Sequence, residues 1–156
     1  MFKTTRRVGL FILAGALIAA CAPAPETKQP DPTVAQVTLS ATSDANPDPS
    51  GRASPTVVFI YALKPGASFE TGSYDALTGG ELGKLAETMT RIARLVIVPG
   101  KSTKKIFELP KDTAGVGIAV GYRDIDTAKW RVSGDVKPNE VTLMKATVGA
   151  NAITLE

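Results

Sequence analysis

The segment Thr56–Leu63 constrains the fold more than any other part of this chain. Its last seven residues, Val-Val-Phe-Ile-Tyr-Ala-Leu, are all apolar or aromatic, so both alternating faces of an extended segment would be apolar. A strand of this kind is stable at the centre of a sheet that is covered on both sides. The sequence therefore predicts a layered β fold with a second covering layer on this strand.

Seven further segments have strand character and are separated by turn residues such as Pro99-Gly100 and Pro138-Asn139. They are residues 34–41, 91–98, 104–109, 115–122, 130–136, 140–148 and 151–155. Eight short strands at this spacing are typical of a sandwich or barrel. We therefore predict an all-β fold with minor helices.

Residues 69–89 depart from the β pattern. Ser73 is a suitable N-cap for a short helix over residues 74–77, and Leu82, Leu85 and Met89 follow at helical spacing. One face of segment 115–122 carries only glycine and alanine, so another part of the backbone can approach it closely. We expect two short helices to pack against that face or against one end of the sandwich.

The amino terminus has the pattern of a lipoprotein signal. Basic residues precede an apolar run over residues 8–20, which is too short to span a bilayer, and the run ends in Ile-Ala-Ala-Cys. This resembles a bacterial lipobox, so we expect a signal peptide over residues 1–20 and lipid on Cys21. The alternative is a stray thiol after an ordinary signal peptidase site. Ala22, rather than an acidic residue, follows Cys21, which favours delivery to the outer membrane.

The mature chain divides into a tether and a domain. Residues 21–33 hold the lipidated cysteine and a stretch with four prolines, which favours an extended tether. Residues 34–156 form the predicted β-sandwich domain. Without the signal, the chain carries 15 basic and 15 acidic residues, so its charge indicates no nucleic-acid partner.

Catalytic chemistry has little support in the composition. The chain contains no histidine and its single cysteine is assigned to lipid, which excludes imidazole-based nucleophilic catalysis and His/Cys zinc sites. We predict no enzyme activity and no cofactor.

Three motifs resemble ligand sites. Asp44, Asn46 and Asp48 have calcium-loop spacing, but Pro49 and Pro55 replace the turn glycine and the bidentate glutamate, so we predict no metal there. The glycines of segment 115–121 lack the nucleotide-binding spacing and a following helix, which favours close packing. The acidic pair in residues 124–126 fits a turn after a strand better than a metal site.

Several separated stretches together resemble one known family, the TssJ outer-membrane lipoproteins of the bacterial type VI secretion system. The stretches are Asn46-Pro47-Asp48, Gly51-Arg52-Ala53-Ser54-Pro55 leading into segment 56–64, Phe69 with residues 75–77, residues 98–101, residues 121–126, and Trp130-Arg131. Ala53 departs from the pattern, since proline is expected there. The resemblance covers essentially the whole mature domain.

The resemblance implies an eight-stranded, transthyretin-like β-sandwich on the periplasmic face of the outer membrane. It also implies binding to the periplasmic C-terminal domain of the inner-membrane protein TssM, within a multi-copy secretion complex. In this family the loop between the first two strands is the contact element, which corresponds here to residues 43–55. Its candidate partner-binding residues are Asp44, Asn46, Pro47, Asp48, Ser50, Gly51, Arg52 and Pro55.

Physical arguments support the loop but leave alternatives open. Its prolines restrict the unbound conformations, and Arg52 can form a forked pair with a partner carboxylate. Alternatively, Arg52 and the prolines shape a tight surface connection. For Arg123, Asp124, Trp130 and Arg131, the favoured interpretation is structural: a buried indole, and a local Arg–Asp pair that braces a turn. A rival function is a periplasmic lipoprotein that carries a small apolar ligand inside its sandwich.

Overall fold

Eight strands and two short helices make up the part of the chain that the structure, a computed structural model, describes: residues 31–79 and 83–156. In chain order they are β1 (Val34–Ala41), β2 (Thr56–Leu63), α1 (Tyr74–Thr78), a 3₁₀ helix (Gly83–Glu87), β3 (Met89–Ile97), β4 (Ser102–Glu108), β5 (Gly115–Val120), β6 (Arg131–Asp135), β7 (Val141–Val148) and β8 (Ile153–Leu155). No helix within these ranges has the length and apolar character needed to cross a membrane. Cys21, the predicted signal peptide and most of the predicted tether lie outside the described residues.

The strands form two four-stranded sheets. The first sheet has the order β4-β1-β7-β8 and the second has the order β3-β2-β5-β6. All strand pairs are antiparallel except β1 and β7, which run parallel from Val34 opposite Val141 to Ala41 opposite Val148. This architecture confirms the predicted eight-stranded β-sandwich. The bounds of β1 and β2 are those that the sequence predicts, and the other strands differ by one or two residues at their ends.

The core lies between the sheets. Val37 and Leu39 of β1 face Val58 and Ile60 of β2 and Ile118 of β5, and all five side chains are almost completely buried. The alternation along β1 therefore places one face inward and leaves the other outside, as the half-polar pattern predicts.

A second apolar cluster covers the opposite face of β2. Phe59 and Tyr61 pack there with Phe69 and Leu77, which come from the segment that contains α1. The Tyr61 hydroxyl donates a 2.6 Å hydrogen bond to the Leu77 carbonyl. These contacts confirm that β2 is covered on both sides.

Close approach to the small face of β5 is also observed. A Cβ atom at Gly117 would lie 2.8 Å from the ring of Phe69, so only glycine leaves room for that ring. The buried Phe69 side chain thereby attaches the loop after β2 to the sheet.

The helix predictions are partly correct. Ser73 caps α1 by accepting a hydrogen bond from the backbone N–H of Ala76, as predicted. The prediction that Met89 belongs to a second helix is wrong, because Met89 begins β3 and pairs with Leu63. Pairing with β2 extends the second sheet through Met89 and buries its side chain in the second cluster.

Candidate partner-binding site at the β1–β2 loop

The loop between β1 and β2, residues 42–55, is organised around one carboxylate. Oδ1 of Asp48 accepts hydrogen bonds from the backbone N–H groups of Ser50 (2.9 Å) and Arg52 (3.0 Å). The backbone of Asp48 also pairs with Arg52 and Gly51, and Gly51 has the positive φ of 79° that closes this turn. The Arg52 backbone N–H, together with the neighbouring Ser50 N–H and the Arg52 guanidinium, lowers the pKa of Asp48 below its usual value of 3.8.

The Arg52 side chain is bound to the loop at one edge of its guanidinium group and is exposed elsewhere. Its Nε donates a 3.1 Å hydrogen bond to Oδ2 of Asp48, yet 80% of its side chain is exposed. The loop therefore presents a guanidinium group whose Nε atom is positioned by a carboxylate of the same loop. An arginine in this arrangement suits recognition of a carboxylate on another molecule.

Asn46 joins the loop to two neighbouring connections. The residue is only 3% exposed, and its backbone has a positive φ of 49°. Its Nδ2 donates to the Pro55 carbonyl at 3.3 Å, and its Oδ1 accepts a 2.8 Å bond from the backbone N–H of Arg123. Its own N–H donates to the Gly149 carbonyl. Asn46 thus ties the β1–β2 loop to the β5–β6 and β7–β8 connections.

A cleft of about 490 Å³ lies where these three connections meet. It is lined by Asn46, Pro47, Asp48, Pro49, Tyr122, Arg123, Asp124, Thr127, Ala150 and Asn151. The cleft opens at the end of the sandwich, and polar and apolar atoms contribute about equally to its exposed lining. Because it is open to the surface rather than enclosed between the sheets, it is not the internal apolar cavity that the rival carrier function requires.

Tyr122 contributes a buried phenol to the cleft lining. The residue is 6% exposed, and its hydroxyl has no hydrogen-bond partner among the described residues. Burial raises the pKa of Tyr122, because the anionic phenolate would be desolvated there.

All eight candidate residues of the loop lie together, but they play different parts. Asp44, Ser50, Gly51, Arg52 and Pro55 are exposed, whereas Pro47 and Asp48 are half-buried and Asn46 is buried. Asn46 and Asp48 therefore act as positioning residues, and the exposed residues form the surface. The Oδ1 atom that a calcium loop would need from Asn46 is already bonded to Arg123.

The cleft also includes residues that the sequence analysis did not place at the site. Arg123, Asp124, Thr127 and Asn151 come from connections far from the loop in sequence. The stretch 121–126 stood out in the family resemblance, which was the one available signal. The predicted local Arg–Asp pair is wrong: among the described residues, neither Arg123 nor Arg131 forms an ion pair with Asp124, which instead accepts a 2.6 Å bond from the Thr127 hydroxyl.

Trp130 and Arg131 have structural contacts away from the cleft. Trp130 is half-buried rather than fully buried, and it meets the ring of Tyr74 edge-on at 5.3 Å. The Arg131 guanidinium stacks 4.4 Å from the Trp130 ring and donates hydrogen bonds to the carbonyls of Phe69 and Gly72. This arrangement fixes the segment between β2 and α1 on the second sheet.

Comparison with protein families assigns the domain. A model of the type VI secretion lipoproteins, described as VasD, EvfM and TssJ, matches residues 33–155, which is more than half of the chain. The protein belongs to the TssJ family. TssJ proteins are structural lipoproteins of the type VI secretion system, and they are not known as an enzyme family. A search of curated proteins finds no match.

Solved structures agree with membership of the TssJ family. The crystal structure of TssJ1 from Pseudomonas aeruginosa matches with a TM-score of 0.75 and 30% identity, over 80% of this chain and 95% of that one. A chain of a type VI membrane complex matches with a TM-score of 0.68 and 26% identity, over 81% and 99%. A chain from a structure of the TssM C-terminal domain of EAEC matches with a TM-score of 0.61 and 28% identity, over 78% and 98%.

Proposed function

We propose that this TssJ family member is an outer-membrane lipoprotein that anchors the type VI secretion membrane complex. Lipid on Cys21 holds it to the periplasmic face of the outer membrane after a signal peptide, residues 1–20, is removed. Residues 21–33 act as a tether, and residues 34–156 form the domain that binds the periplasmic C-terminal domain of TssM. The protein works by binding rather than by catalysis, within a multi-copy complex.

The ordered β1–β2 loop is the observation that carries the binding proposal. Asp48 and Asn46 hold the loop in one conformation, while Arg52 remains largely exposed at its tip. A preorganised loop loses little conformational entropy when it binds. An exposed arginine in a fixed position is also the kind of residue that contributes strongly to protein interfaces.

The comparisons support the choice of partner. Chains similar to this one occur in solved structures described as a type VI membrane complex and as the TssM C-terminal domain. The cleft beside the loop supplies a second surface for the same partner, since an extended segment that contacts Arg52 can continue into it.

The test is calorimetric titration of the mature, unlipidated protein with the periplasmic C-terminal domain of TssM from the same cell. We expect the parent to bind and Arg52→Ala to bind at least about tenfold more weakly, since hot-spot arginines contribute roughly 2 kcal/mol or more. Lys111→Ala is the matched control, because Lys111 is an exposed basic residue at the opposite end of the sandwich.

Each outcome has a distinct meaning. If Arg52→Ala binds TssM as tightly as the parent does, TssM remains the partner but the interface lies outside the loop. No binding between two folded domains would contradict the anchor proposal. The lipid proposal is tested separately by mass spectrometry of the mature chain, which should show acylated Cys21 in the parent and none in Cys21→Ser.

A further inference from the structure

The outer face of the first sheet carries an apolar patch that the described part of the chain leaves open. In β1, Val34 and Gln36 point away from the core. The strand register places Ile106 of β4 and Leu143 of β7 on either side of Gln36, and Val141 beside Val34. Ile106, Leu143 and Val141 are 66%, 65% and 61% exposed. Large side chains this open and this close together indicate a contact surface.

Three successive rows across β4, β1 and β7 define this outer face. The rows are Glu108, Val34 and Val141; Ile106, Gln36 and Leu143; and Lys104, Thr38 and Lys145. The middle row is apolar at both ends. In the two flanking rows, the β4 residues have opposite charges: Lys104 in one row and Glu108 in the other.

Lys104 and Glu108 are unpaired within the described residues. Both are exposed, and neither takes part in an ion pair there. They lie on the same side of β4, four residues apart, which corresponds to about 13 Å and is too far for a direct contact. Their charges are therefore available to another molecule.

We propose that this outer face binds the same face of a second copy of the chain. The two-fold axis lies between the two copies, parallel to the middle row that runs from Ile106 through Gln36 to Leu143. Rotation about that axis places each of these three residues opposite itself. The same rotation places Lys104 of each copy over Glu108 of the other, so one contact produces two ion pairs.

The charge pattern favours a second copy over a membrane surface. Anionic lipid attracts lysine, but it repels a carboxylate such as Glu108 that lies level with the apolar side chains. A second copy satisfies both signs and covers the apolar patch at once. Two sheets stacked face to face lie about 10 Å apart, which leaves room for interdigitated isoleucine, leucine and valine side chains. The stem of Lys145 covers Val141 of the other copy.

The first test is crosslinking of the full-length protein in mild detergent with a short bismaleimide. Gln36→Cys places a thiol beside the two-fold axis without removing an apolar side chain, and it should give a covalent dimer. Thr154→Cys is the matched control, because Thr154 is an exposed residue of the same sheet that lies far from its own symmetry mate. The parent controls for crosslinking through Cys21.

The second test reverses the charges in the Gln36→Cys background. Lys104→Glu and Glu108→Lys should each lower the apparent dimer affinity at least about tenfold, because each converts both ion pairs into repulsions. The double variant K104E/E108K restores both pairs with swapped signs, so it should recover the dimer. Thermal melts followed by circular dichroism confirm that each variant is folded.

Several results would overturn the proposal. These are a Gln36→Cys variant that gives no dimer, single reversals without effect, or a double variant that fails to recover. If a fluorophore attached to the new thiol of the Gln36→Cys variant is instead shielded by anionic vesicles, the face meets lipid and the proposal is wrong. Because the readout reports this face alone, the result is independent of TssM binding by the loop.

Discussion

Oδ1 of Asn46 accepts a 2.8 Å hydrogen bond from the backbone N–H of Arg123, and this contact joins two connections that are far apart in the sequence. Asn46 is buried and has a positive φ, a conformation that asparagine tolerates better than most residues. The Asn46 side chain therefore joins the β1–β2 loop to the β5–β6 connection, while backbone bonds such as that from the Lys129 N–H to the Asn151 carbonyl join the other walls of the cleft. Removal of the Asn46 side chain is the most direct way to loosen the site without touching the exposed surface.

Asn46→Gly should lower the free energy of unfolding by about 1–3 kcal/mol, because it leaves the Arg123 N–H without its partner. Glycine accepts the positive φ, so this variant isolates the hydrogen bonds of the side chain. Asn46→Ala should cost roughly 1 kcal/mol more, since alanine adds the backbone penalty. Chemical denaturation measures both. Equal stability of the parent and the glycine variant would show that the side-chain bonds are unimportant.

Protonation of Asp48 should release the tip of the β1–β2 loop. The folded state lowers the pKa of Asp48 below 3.8, so its contribution to loop order is fully present above pH 3.8 and is lost as the pH falls through the lowered value. The amide resonances of Ser50 and Arg52 should report this transition in an NMR titration. In Asp48→Asn the transition should be absent. If it remains, another group is responsible.

Gly117→Ala should destabilise the protein by about 1–3 kcal/mol, because the added methyl group would lie 2.8 Å from the Phe69 ring. Thermal or chemical unfolding gives the value. The double variant with Phe69→Leu should lose less than the sum of the two single changes, since the smaller side chain makes room. Strict additivity would mean that the two residues do not meet as the structure shows.

Removal of the Tyr122 hydroxyl should be neutral or stabilising. The hydroxyl is buried without a partner among the described residues, so Tyr122→Phe relieves a desolvated polar group. Tyr61→Phe is the matched comparison and should cost about 1 kcal/mol, because the Tyr61 hydroxyl donates to the Leu77 carbonyl. A loss of similar size in both variants would indicate that Tyr122 has a hydrogen-bond partner in solution.

The sequence by itself determined the elements whose character is local. The two-sided apolar run of β2 and the alternation of β1 predicted both strands with their observed bounds, and Ser73 predicted the start of α1. Cap and alternation signals depend on neighbours within a few residues, which explains their success. The candidate loop was also placed correctly between β1 and β2, although the family resemblance rather than periodicity pointed to it.

Only the tertiary structure decided how these elements meet. The parallel pairing of β1 with β7, the strand state of Met89 and the junction that Asn46 makes with Arg123 all depend on residues distant in sequence. Short-range patterns carry no information on which distant strand will pair, because that choice is made by the burial of whole faces at once. The same reason explains why the cleft and the charged rows of the outer face emerged only when the sheets were assembled.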